Sequence, residues 1–486
     1  MKLSKAPTPS AMSKKIVLFE LNEVPWRVLE DHVAERPRGT MARLVGRARG
    51  YQTFAEEPEE NLSPWVTWPS LHRGVPLERH GITDFNQELG EVDREYPSLW
   101  ELCARAGVPT GVCGSVHSNP CPEDPSAYAF YIPDPFARDA RSHPEAVAPF
   151  QDFNLAMSRR SARNVSSGVA WDKVRGVLKS ASEIGLRPAT FASLGRQLLD
   201  ERLRRWTRVR RRTYQSLLAF DVFMHQLQER RPVFSTFFTN HVASTMHRFW
   251  AARYPGDYDE FDCSEAWVHT YRNEVRWVLD RTDQMLGRLE AFCSRNPEHE
   301  LWITGSMGQA ATEARRATSQ LYLRQLGTFL RRLGVEDGRW EERPAMAPRA
   351  IFALRNGRSL DLEEQLGRVE LADRGPLGWE HLGQGVYRLH PGVQKDVVRG
   401  QIHFAGEAFP LEEFGFENLL LEDQVGQTAY HVPEGHLLVA GREAGDALSR
   451  PTISTLEVAP MILAELGVER PDYMRTAAGG ARVVAA

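Results

Sequence analysis

Short apolar runs alternate with segments of helical spacing along most of the chain, and this alternation restricts the fold more than any other feature. "KIVLFEL" (Lys15 to Leu21) leads into "NEVPWRVLEDHV"; "SLWELCARAG" leads into "VPTGVCGS"; "PVFSTFFTNH" leads into "HVASTMHRFWAARY". The segment "AWVHTYRNEVRWVLDRTDQMLGRLEAFCSRNP" reads as one long amphipathic helix before the strand "HELWITGS", and "GHLLVAG" with "ISTLEVAPMILAELG" closes the series. A strand of four to eight apolar residues with no polar alternation must be covered on both faces. The prediction is an α/β fold whose central, mostly parallel sheet carries helices on both faces.

Two regions interrupt the rhythm. Residues 121–230 are polar and helical, and they hold the arginine run "ERLRRWTRVRRR". Such a run is commonly the solvated face of a surface helix, and it could also meet a phosphate-rich partner. Residues 311–425 are rich in Gly, Pro and short β-like runs such as "RAIFALRNG" and "GVYRLHPG". The expected organisation is a core of residues 15–120, 231–310 and 426–486, a helical insert over 121–230 and a smaller inserted α+β lobe over 311–425. Residues 1–14 are expected to be disordered.

A net charge of −4 over 486 residues gives no general attraction to nucleic acid or membrane, and neither is expected as a partner. The five cysteines form no C-x-x-C pair, and no apolar run approaches the length of a membrane helix. A cytoplasmic protein is expected.

The stretch Ser63 to Ile82, "SPWVTWPSLHRGVPLERHGI", is the most informative for chemistry. Thr67 stands near a helix start, where a hydroxyl can cap the helix or meet an anion held by free N–H groups. Thr67, Trp68, Pro69, Gly74, Pro76, His80, Gly81 and Ile82 resemble the nucleophile motif of the alkaline phosphatase superfamily, closest to its type I phosphodiesterase and nucleotide pyrophosphatase branch. Further segments agree in order: "YPSLWELCARAGVPTGVCG", the late histidine motif "HVPEGHLLVAG" and the C-terminal "ISTLEVAPMILAELGVERPDYM". The resemblance runs from about Lys15 to Met474. It implies an alkaline phosphatase-like fold, a Thr67 nucleophile and a ligand role for His431.

That family's chemistry uses two divalent metals held by carboxylates and imidazoles. Here the implied ligand positions have changed. Asn22 stands where the first strand should end in Asp. Asn240 and Ser244 stand for an Asp and a His, with His247 one turn beyond. Ser306 and Met307 stand for Asp-His. Neutral amides, a hydroxyl and a thioether are poor ligands for a hard dication. The expectation is therefore no metal pair, and at most one divalent cation, held by Glu20 with His247 and His431. Glu20 could instead form a structural ion pair with an arginine.

The candidate catalytic residues are Thr67, His247 and His431, the two imidazoles serving as acid and base. Candidate substrate contacts are Glu20, Asn22, Arg73, Asn240, His241 and Ser306. His80 reads as a lock on the turn after the helix. Three functions stay open. One is an enzyme acting on a small anionic phosphate, sulfate or related ester, by hydrolysis or transfer, without the usual two-metal site. The second is a non-catalytic descendant that binds a ligand or partner. The third is an orthodox two-metal phosphodiesterase in which Glu20, Asp84 or Asp423 enters the site.

Overall fold

Ile16, Val17, Leu18 and Phe19 are fully buried, and the strand they form, β1 (Lys15–Leu21), lies inside an eight-stranded sheet. The structure is a computed structural model that describes residues 14–475, apart from 85–86, 161–169, 344, 346–347, 372–374, 395–399, 422, 442–444, 446 and 448. The expectation of disorder over residues 1–13 lies outside the described residues.

The other sheet strands are β2 (Arg49–Phe54), β3 (Thr110–Cys113), β4 (Tyr128–Ile132), β5 (Phe234–Thr239) and β6 (His299–Thr304), joined by Glu434–Ala440 and Thr452–Ser454. The order across the sheet is Thr452–Ser454, β2, Glu434–Ala440, β6, β1, β5, β3, β4. Every neighbouring pair is parallel except the two made by Glu434–Ala440, which runs antiparallel to β2 and β6. This is the mostly parallel α/β sheet expected from the alternation.

Successive residues of β1 serve opposite faces. Ile16 and Leu18 join Trp68, Leu71, Leu99 and Ile462 in one core. Val17, Phe19 and Leu21 join Phe220, Phe223, Met246 and Leu286 in the other. The first core is covered by the helices Pro64–Arg73, Leu99–Arg105 and Val458–Leu466, the second by Arg211–Arg230, His241–Arg253 and Glu274–Arg295. The long helix expected from "AWVHTYRNEV…" is two helices, Glu265–Tyr271 and Glu274–Arg295. The break falls at Arg272 and Asn273, and Asn is a poorer former of helix interiors than the Arg272 and Glu274 beside it.

Between Ser319 and Leu420 the chain builds three small antiparallel sheets around a separate core that includes Leu321, Phe329, Phe352, Tyr387 and Phe414. Side-chain pairs tie this region and the loop that follows it to the main sheet's helices and loops. Arg388 meets Asp84, and Arg248 meets Asp423 at 2.6 Å. Among the described residues no helix is long and apolar enough to cross a membrane.

Candidate functional site

Three adjacent parallel strands, β6, β1 and β5, end side by side. The residues that follow them are Ser306, Asn22 and Asn240. Ligands of open α/β sheets bind at this edge because loops and helix starts converge there. The helix Pro64–Arg73 covers it. Ser63 caps that helix, its Oγ accepting from Trp65 N at 3.4 Å, with Pro64 in the first turn and Gly74 ending it at φ 61°. Thr67 is therefore one turn inside the helix and is not its cap. Its amide already donates to Ser63 O at 2.9 Å, so it offers no free N–H to an anion.

The Thr67 hydroxyl, fully buried, lies 3.1 Å from Ser63 O and 2.8 Å from Ser306 Oγ. A carbonyl can only accept, so Thr67 donates to Ser63 and Ser306 donates to Thr67. Trp68 Nε1 donates to Asn22 Oδ1 at 2.7 Å. That fixes the orientation of the Asn22 amide, whose Nδ2 donates to both Asn240 Oδ1 and Glu23 Oε1 at 2.7 Å. Asn22, Asn240, Thr67 and Ser306 thus form a neutral amide and hydroxyl half of the site. Asn240 is exposed, and its Nδ2 is turned away from Asn22.

The other half is charged. The carboxylate that meets His247 and His431 is Glu23, not Glu20. Glu23 Oε2 lies 2.9 Å from His247 Nε2 and 3.4 Å from His431 Nε2, and all three side chains are buried. Glu23 reaches them by leaving the strand in the left-handed region at φ 59°. That conformation costs a non-glycine residue about 1–2 kcal/mol. Gln309 Nε2 also donates to Glu23 Oε2 and to Ala243 O.

The histidine tautomers follow from their partners. His247 Nδ1 is 2.7 Å from Ala429 O, and His431 Nδ1 is 2.6 Å from Leu62 O. Each ring donates there from Nδ1, so Nε2 either carries a second proton and donates to the Glu23 carboxylate or offers a lone pair to a cation shared with it. The carboxylate oxygen and the two Nε2 atoms lie within 4.8 Å of one another, so the buried carboxylate needs a positive charge beside it, from a protonated ring or a cation. Burial opposes ionisation of Glu23, but the positive charge of the His431 and His247 rings, when protonated, outweighs it and holds the carboxyl well below the usual range.

The set also fits a divalent cation. One carboxylate and two imidazoles, each ring oriented by a carbonyl on its far nitrogen, suit a borderline ion such as zinc. His431 Nε2 and Gln309 Oε1 are buried without hydrogen-bond partners, as unshared ligand atoms would be. Among the described residues this is the one group of three or more His, Cys, Asp and Glu side chains so placed. Asp84 and Asp423 are committed to Arg388 and Arg248.

The remaining candidates lie elsewhere. Glu20, fully buried, takes His72 Nε2 at 2.7 Å; its partner is a histidine and not the arginine considered from sequence. Glu20 and Asn22 do share a face, since His72 and Trp68 are on one helix. Arg73 turns away from the edge to Tyr96 O at 2.5 Å and Asp93 at 2.8 Å. His241 is buried between Thr239 and Thr282, where desolvation lowers its pKa to about 3. Ser244 accepts from Arg212 at 2.8 Å.

Ser70, His80 and Glu57 form a chain that has the composition of a catalytic triad but the wrong direction. Ile82 N donates to His80 Nδ1 at 2.9 Å, so Nε2 carries the proton and donates to Ser70 Oγ, which donates to Glu57. His80 cannot take the Ser70 proton. Burial, with Arg73 nearby, lowers its pKa to about 3. It locks the turn after the helix.

Glu23 was missed from sequence, although a carboxylate directly beside an altered ligand position was the available signal. Gln309 carried no signal, because its role depends on the register that sets it opposite His431.

No family model matches the sequence, and no curated protein matches it. Solved structures do. Human ectonucleotide pyrophosphatase / phosphodiesterase 5 is 10% identical, with a TM-score of 0.40 over 94% of this chain and 96% of that one. Phosphonoacetate hydrolase from Sinorhizobium meliloti 1021, in complex with phosphonoformate, is 10% identical, with a TM-score of 0.39 over 94% and 96%. Alkaline phosphatase from the Antarctic bacterium TAB5 is 9% identical, with a TM-score of 0.37 over 94% and 99%. The chain is similar to these structures along nearly its whole length, and the likeness is one of fold.

Proposed function

We propose that the chain is an enzyme acting on a small anionic ester, of the phosphate or sulfate class, at a site that holds one divalent cation. The observation that carries this is the buried convergence of Glu23 Oε2, His247 Nε2 and His431 Nε2, one carboxylate and two imidazoles within reach of a single cation. A bound cation would polarise an ester oxygen and lower the pKa of a neighbouring hydroxyl or water.

The chain's own groups supply the rest. Asn240 Nδ2 donates to a non-bridging oxygen at the mouth. Thr67 Oγ1, whose proton rests on Ser63 O, is the candidate attacking oxygen, and Ser306 holds its orientation. Ser63 follows Leu62, whose carbonyl orients His431, so the nucleophile helix and the ligand share one anchor. In this arrangement Glu20, Arg73 and His241 position neighbouring elements and do not touch substrate.

A second reading rests on the burial of Thr67, whose hydroxyl is already engaged twice. It makes the site a binding pocket with no covalent step. The test is a screen of phosphate monoesters, phosphodiesters and sulfate esters, with and without zinc, manganese or magnesium. Turnover that falls about 10²–10⁴-fold in Thr67→Ala and recovers in part in Thr67→Ser supports the nucleophile. Turnover unchanged in Thr67→Ala removes it. Binding of a cation and an anion with no turnover of any ester selects the pocket.

A further inference from the structure

The arginine run noted in the sequence belongs to a strongly basic helical segment. Its helices are Trp171–Ser180 and Pro188–Leu203, followed by the short turn Arg205–Arg210. Residues 171–212 contain twelve Lys and Arg against four Asp and Glu, a net +8 where the whole chain carries −4. Some of these cations are neutralised: Arg210 by Glu274 and Arg211 by Glu201. Arg175, Lys179, Arg196, Arg202, Arg204 and Arg205 form no ion pair among the described residues.

A cavity of about 370 Å³ opens among them, lined by Trp171, Leu198, Arg202, Arg205, Arg208 and Arg211, with Glu201 bonded to Arg211. Large apolar side chains are exposed on the same two helices. Trp171 is 66% exposed, Leu178 56%, Leu199 61% and Leu203 84%. Four of the nine exposed large hydrophobics among the described residues thus fall within these two helices. On the first helix Trp171, Arg175 and Leu178 recur at i, i+4, i+7, and on the second Arg196, Leu199, Arg202 and Leu203 share a face.

Cations alone would suit any polyanion, and exposed leucines alone would suit any apolar partner. Both within one short helical segment, with an exposed tryptophan, suit an interface where negative charge lies directly above hydrocarbon. We propose that this segment docks on an anionic lipid surface, with Arg202 and Arg205 at a headgroup phosphate and Trp171, Leu199 and Leu203 entering the acyl boundary. The site rests on different residues from the proposed catalytic one and does not depend on it.

The experiment is co-sedimentation of the full chain with vesicles of phosphatidylcholine, alone or mixed with phosphatidylserine. Binding to the mixed vesicles and not to phosphatidylcholine is expected, weakening as salt rises past a Debye length of about 8 Å. Arg202→Gln with Arg205→Gln should lower the partition on the order of tenfold, as should Leu199→Ser with Leu203→Ser. Circular dichroism and the thermal midpoint identify any variant that has lost its fold, and Arg196→Gln alone then provides a milder test. No binding to mixed vesicles at low salt overturns the proposal. So does binding that ignores the leucine pair and is released by inorganic pyrophosphate, since the cavity would then take a free phosphate.

Discussion

Asn22 shows how a single amide sets the character of the site. Its Oδ1 serves Trp68 and its Nδ2 serves Glu23 and Asn240, so both ends are specified. An aspartate there would face the Glu23 carboxylate across 2.7 Å, and like charges at that range cannot both ionise without a cation. Asn22→Asp is expected to cost about 2–4 kcal/mol in chelated protein, the price of an uncompensated buried charge. Added zinc or manganese should restore much of it, as read by denaturant unfolding with and without the ion. Unchanged stability in chelator would show that Glu23 is already protonated or distant. Glu23→Gln probes the charged half: it keeps the shape and removes the charge. Cation affinity, measured by calorimetry, should fall at least tenfold, in the range seen for weakened metal sites. These residues were partly legible beforehand. Asn22, Asn240, Ser306, Thr67 and His431 could be brought to one edge from motif order alone. Glu23 could not, because its placement depends on a backbone turn at φ 59° that a Glu-Val-Pro sequence does not announce.

At the scale of elements, the ladder between Gly308–Ala311 and Ala429–Val432 holds Gln309 opposite His431. It can form only because Gly308 has no side chain. A Cβ there would lie 2.2 Å from the carbonyl oxygen of Glu434, an atom of backbone that cannot swing aside. Gly308→Ala should cost about 1–3 kcal/mol through the forced shift. It should also weaken cation binding, since His431 moves with the ladder. Thermal unfolding and cation titration on the same protein check both. If cation affinity survives while stability falls, the ladder is not what positions His431. The main elements were readable because apolar runs and helical spacing are local signals. The break at Asn273 and the small sheets of 319–420 were less readable, since short strands there gain their identity from pairing and not from composition.

The whole molecule buries histidines in neutral form. His80, His117 and His241 have pKa values lowered to about 3, and His436 to about 4, each chiefly by burial. Below about pH 6.5 the unfolded chain binds protons at these sites that the native state refuses, so stability rises with pH there. The contribution is complete above the unfolded value and is lost as pH falls toward the folded ones, by up to about 1.4 kcal/mol per unit for each ring. The thermal midpoint at pH 5 should lie several degrees below that at pH 7, and a flat profile between them would show that these rings are not buried. The sheet order has a separate consequence, for the chain as it is made. Strand β2 pairs only with Glu434–Ala440 and Thr452–Ser454, with Gly50 opposite Leu438. At about 5–20 residues per second, β2 waits on the order of 20–80 s after leaving the ribosome before either neighbour exists. The first strands cannot complete their sheet until residues 434–454 have been made, so the nascent chain carries an unpaired strand edge through the synthesis of nearly four hundred intervening residues.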